Sequence, residues 1–183
     1  PQDELSNLII KGYVSHARHV SIVNEILDWA HCLEQFRALI ESLEEAEHPI
    51  FHSFGFALSE LVASVEQSVR NLEKEQIDAL VIGRDGFEEV GVAKAKGVSL
   101  VHAQQFLSTD FSDLTLVYDF VSSIESSIGI DNIQWYMLLD KLVLTWQHAS
   151  LAQDPMANVF EKLVNITSKP YLLALEEAAT SGM

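Results

Sequence analysis

Histidine is the side chain best supplied for chemistry in this chain, and four of the seven histidines are His16, His19, His48 and His52. His16 and His19 are three residues apart, while Glu45-Ala46-Glu47-His48 followed by His52 brings a carboxylate and two imidazoles into one short stretch. On a helix, a Glu-x-x-His step points both side chains to one face, as in the carboxylate-bridged metal centres of four-helix bundles. Such centres need two of these steps facing each other. Here Pro49 interrupts the helix between His48 and His52. Asp28 and His31 repeat the acid-to-histidine spacing, but about four turns away on the same helix, too far to share one ion within one chain. The candidate ligand set is therefore His16, His19, Glu45, His48 and His52, for iron, zinc or manganese. Each histidine has a plainer alternative as a polar residue near a helix end.

Nucleophilic chemistry has less support. Cys32 is the only cysteine, and although His31 precedes it, neighbours on a helix point about 100° apart. No Gly-x-Ser-x-Gly elbow occurs, and a buried, inert thiol is expected. Gly83-Arg84-Asp85-Gly86 has neither the lysine arrangement nor the glycine spacing of a phosphate-binding loop, and reads as a turn. The neighbouring pairs Glu88 and Glu89, and Glu176 and Glu177, read as solvated surface. Among the aromatic residues, Trp135 and Tyr136 project in different directions from one helix, so that one of them is placed to face a groove or a subunit contact.

The elements that must position these groups are helical. Ile22, Ile26, Trp29, Leu33, Phe36, Ile40 and Leu43 recur at four- and three-residue steps with acidic residues between them, the pattern of an amphipathic helix of about three heptads. Val23, Leu27, Ala30 and Leu39 widen the stripe beyond a coiled-coil seam. Glu47-His48-Pro49 forms the turn, and Phe51, Phe54, Leu58, Leu61, Val65 and Leu72 carry a second helix, giving an antiparallel hairpin over His19 to Leu72. Leu5 to Val14 predicts a short preceding helix, interrupted at Gly12.

Ile77 to Leu107 is ambiguous: helices broken by glycines are preferred, with a small strand-containing insert around residues 77–102 as the alternative. A two-stranded parallel sheet alone in a helical chain would be poorly sheltered. From Ser112, Leu114, Val117, Val121, Ile124 and Ile128 form a stripe ending at Gly129. A very apolar helix follows from Asp131 or Asn132 through Trp135, Leu138, Leu142 and Trp146, predicted to be largely enclosed. Asp154-Pro155 opens another helix carrying Phe160, Leu163 and Val164, and Ser168-Lys169-Pro170 opens a last one through Tyr171 to Ala179. The fold class predicted is all-α, an irregular bundle of about six or seven helices in a single domain over residues 1–183.

Composition bounds the partners. The chain has 183 residues, 48% of them hydrophobic, and a formal charge of −16. With Lys94 and Lys96 its densest basic stretch, it lacks the clustered cations that nucleic-acid backbones or anionic membranes require. No apolar run is long enough for a membrane span, and no targeting pattern follows Pro1. The lone cysteine points to a reducing, cytoplasmic setting, against glycosylation at Asn165-Ile166-Thr167. The leading expectation is a non-enzymatic regulatory or protein-interaction domain, with self-association through an apolar helix face. Its alternative is a metal-dependent bundle enzyme or sensor using the histidine set. A small-ligand site within residues 77–102 and an acidic mimic of nucleic acid are further readings.

Overall fold

The structure is a computed structural model that describes residues 2–85, 99–128 and 134–181, with side chains described over 16–78, 99–124 and 134–181. Its described elements are all helices: α1 (Gln2–Glu44), α2 (Pro49–Asp85), α3 (Leu100–Ile128), α4 (Trp135–Leu151), α5 (Met156–Thr167) and α6 (Lys169–Ser181). The all-α expectation holds. The strand alternative is not supported, because Ile77 to Asp85 continue α2 and Leu100 opens α3, with no strand among the described residues. Residues 86–98 lie outside the described residues, and so do Gly129, Asp131 and Asn132 with the helix ends expected there.

Three helices are longer than the sequence pattern predicts: α2 runs past Leu72 to Asp85, and two others extend at their starts. α1 runs unbroken through Gly12, and α3 begins at Leu100 rather than near Ser112. A lone glycine costs a helix only about 1 kcal/mol relative to alanine, while extending a nucleated helix gains a hydrogen bond per residue, so flanking turns carry the helix across. Short-range breakers with a stronger physical basis do act. Pro49, which lacks an N–H and has its φ preset, begins α2, and Asp154 accepts a 2.9 Å bond from the Met156 N–H at the start of α5.

Packing divides the chain into two compact units, Pro1–His31 with Val65–Phe111, and Cys32–Ser64 with Ser112–Met183. In the first, Ile22, Val65, Leu107 and Phe111 are buried. Trp29 stacks on Phe111 at 4.7 Å with 6° between ring planes, and Gln104 donates to the Glu25 carboxylate. Both contacts pair ascending positions of α1 with ascending positions of α3, so these two helices run parallel within this unit. His102 meets Glu75 across α3 and α2 at 3.4 Å.

The second unit has the larger described core. Phe36, Ile50, Phe54, Leu58, Leu114, Val117, Leu142 and Phe160 are buried, with Phe36 edge-on to Tyr118 and Phe120 edge-on to Phe160. Gly55 is buried where α2 passes α1: a Cβ built there would stand 3.2 Å from the Leu43 Cβ, so glycine permits the close approach. α4 and α5 pack against each other, reversed by a turn in which Gln153 takes a positive φ of 54°. The expected enclosure of α4 is incomplete. It buries Leu138, Leu142 and Ala149, whereas Tyr136 and Leu144 on its other faces are half exposed.

Candidate interaction site

The turn between α1 and α2 brings one histidine of the ligand set onto one of the two aromatic residues singled out for contact. α1 closes with bonds from the Glu45 N–H to the Glu41 carbonyl and from the Ala46 N–H to the Leu43 carbonyl, each 3.3 Å. His48 then takes the capping position before Pro49. Its Nδ1 accepts the Ile50 N–H at 3.3 Å while its carbonyl accepts the Phe51 N–H at 2.9 Å. An imidazole nitrogen that accepts must carry a lone pair, so this bond requires the Nδ1 of His48 to be unprotonated. His52, one turn on, bonds through Nε2 to the Ala46 carbonyl, which ties α2 back across the turn.

Trp135, the first residue of α4, lies flat against His48 with ring centroids 5.1 Å apart and 4° between planes. Phe51 is edge-on to His48, Tyr136 is edge-on to Trp135 at 5.8 Å, and Tyr171 from the first turn of α6 meets Trp135 at 5.9 Å. Three separate helix beginnings thus supply one group of five rings. His48, Phe51 and Trp135 are half-buried within it, and Tyr136 and Tyr171 are exposed. Offset and edge-to-face ring pairs each add roughly 0.5–1.5 kcal/mol beyond simple burial, and the tilted Trp135–Tyr171 contact is where this group meets the start of α6.

The histidine set is divided. His16 and His19 are exposed on α1 in the first unit, while Glu45, His48 and His52 surround the turn in the second. Among the described residues no group of three or more histidine, cysteine or acidic side chains is arranged to hold a metal ion. Around the turn, the Nδ1 of His48 and the Nε2 of His52 are each engaged by backbone. Asp28 and His31 are both exposed. Cys32 is half-buried, and burial first, then the charge of Asp119, pushes its thiol up to about 11. That keeps it protonated at neutral pH and a poor nucleophile. In Asn165-Ile166-Thr167, Thr167 is fully buried within α5.

Sequence reasoning found α6 as a helix but assigned no contact role to Tyr171 or to the rest of it. No residue of α6 is buried, and Leu172, Leu173 and Leu175 are 56%, 58% and 49% exposed. A signal was present: Tyr171-Leu172-Leu173-Ala174-Leu175 is an unbroken apolar run inside a helix, and consecutive positions 100° apart cannot all face one core. In the first unit, Val20, Val23 and Leu27 form a second exposed apolar row on α1. No helix among the described residues is long and apolar enough to cross a membrane. Comparison with protein-family models, curated proteins and solved structures gives no match.

Proposed function

We propose that this chain is a non-enzymatic protein-interaction domain, and that α6 is its principal contact element. One observation carries the proposal: a thirteen-residue helix bearing Tyr171, Leu172, Leu173 and Leu175 has no buried residue. Apolar side chains concentrated on an element that adds nothing to the core are explained by what that element docks against, since covering the exposed half of each leucine would contribute about 1 kcal/mol. The ring cluster at His48 and Trp135 supports this use, because it fixes where α6 starts and leaves its length open to contact. The strongly acidic composition favours a protein surface over nucleic acid as the partner.

Site-specific photocrosslinking tests the proposal. A photoreactive amino acid at Leu172 is expected to give discrete protein adducts in cells expressing the full chain, whereas the same residue at exposed Gln147 on α4 gives none. Equal, diffuse labelling at both positions would remove the basis for assigning α6 this role.

A further inference from the structure

We infer that the partner of α6 is α6 of a second copy of the chain, paired antiparallel; this rests on the reading of α6 as a contact element and specifies its occupant. Lys169, Leu172, Leu173 and Glu176 stand at i, i+3, i+4 and i+7, so they share one face of the helix, and all four are exposed. Tyr171, the residue that touches Trp135, lies about 150° around the helix from the centre of that face. The anchored side and the open side are therefore opposite, and the contact with Trp135 leaves the four-residue face uncovered.

The face is complementary to itself. A two-fold axis passing midway between residues 172 and 173 sets Leu172 of one copy against Leu173 of the other, and Lys169 against Glu176 of the second copy, twice over. This is the isologous geometry by which most homodimers form. A parallel pair would instead place Lys169 against Lys169 and Glu176 against Glu176, so charge selects the antiparallel arrangement. Lys169 is the sole cation of α6, and it sits at the one position where this axis gives it an acidic partner. The formal charge of −16 on each copy opposes association, but repulsion between distant exposed charges is screened beyond about 8 Å at physiological salt, whereas the apposed pairs act at contact range. A single helix pair is a small interface, so the dimer is expected to be weak, with dissociation in the micromolar range rather than the nanomolar.

Charge reversal separates this pairing from every other use of α6. Sedimentation equilibrium on the full chain from about 5 to about 500 µM is expected to show a monomer–dimer equilibrium, with dissociation about tenfold weaker in Lys169→Glu and in Glu176→Lys. The double variant Lys169→Glu/Glu176→Lys is expected to return to within about threefold of the wild type, because both pairs are restored with their signs exchanged. A folding defect cannot imitate this pattern, since Lys169→Glu places an acidic charge favourably at the start of α6, and a loss of fold in either single variant would not be reversed by adding the other change. A chain that stays monomeric throughout overturns the pairing while leaving crosslinks from Leu172 to other proteins intact. Dimers indifferent to both charge changes also overturn it, by assigning self-association to another surface.

Discussion

Replacing Thr167 by valine should make the protein more stable. Thr167 ends α5 with its side chain fully buried, and its Oγ1 has no hydrogen-bond partner among the described residues. A buried hydroxyl without a partner has lost its water and gained nothing in return, a penalty of about 1–3 kcal/mol. Valine keeps the branched shape and has a similar helix propensity, and its second methyl adds up to about 0.8 kcal/mol of apolar burial where the hydroxyl stood. The net gain expected is about 2 kcal/mol. For a chain of this size, that raises the melting temperature by about 4–8 °C. Urea unfolding followed by tryptophan emission and far-UV circular dichroism should show a higher midpoint with an unchanged slope. Thr167→Ser keeps the hydroxyl and discards the methyl, and is expected to lose about 1 kcal/mol. A Thr167→Val protein less stable than the parent by more than about 0.5 kcal/mol would show that the hydroxyl is bonded after all, and the reasoning would fail.

Two other perturbations follow from described contacts. At Gly55, alanine is expected to remain within about 1 kcal/mol of the parent, because the helix propensity it gains offsets its 3.2 Å approach to the Leu43 Cβ, whereas Gly55→Leu overpacks the α1–α2 contact by about 3 kcal/mol. Unchanged urea midpoints in both variants would contradict that close approach. The Cys32 thiol, pushed up from 9.0 to about 11, should react with iodoacetamide at pH 8 about a hundredfold more slowly in the folded chain than in urea, and Asp119→Asn should recover part of the rate. Because the folded value lies above the unfolded one, the associated stability is complete below pH 9 and is lost as pH rises from 9 to about 11. Equal labelling rates in the folded and unfolded chain would refute the assignment.

Which features were legible in the sequence follows from the range of the forces involved. Ile22, Ile26, Trp29, Leu33, Phe36, Ile40 and Leu43 are buried or half-buried, although Val23, Leu27 and Ala30, expected to widen their stripe, are exposed, and Leu114, Val117, Val121 and Ile124 are all buried, because amphipathic periodicity is the direct imprint of a one-sided core. Pro49 and Asp154 marked helix starts because their effects act within one turn. Gly12 misled, since its modest local cost is outweighed by the turns on either side. At the site, Trp135 was visible as a large aromatic residue, but its stacking on His48 was not. That contact joins α4 to the α1–α2 turn across 87 residues of chain, and no spacing rule reaches so far. Tyr171 escaped for the same reason. Glu45, His48 and His52 did come near one turn, as their spacing implied, yet the polar demands of the helix ends engage both imidazoles there.

The isolation of α6 also bears on how its order is maintained. Fixing the backbone of one residue forfeits about 1–2 kcal/mol of conformational entropy, and helices of thirteen residues are marginal in water by themselves. Most helices recover that loss by covering a core, but α6 covers none, and Tyr171 against Trp135 secures only its first turn. If Leu172 and Leu173 dock as proposed, the helicity of the remaining turns would be coupled to that contact, making recognition and ordering two aspects of one transition. In the proposed pairing such a segment would trade some affinity for a reversible response: small changes in chain concentration would alter how much of it is helical as well as how much of it is bound.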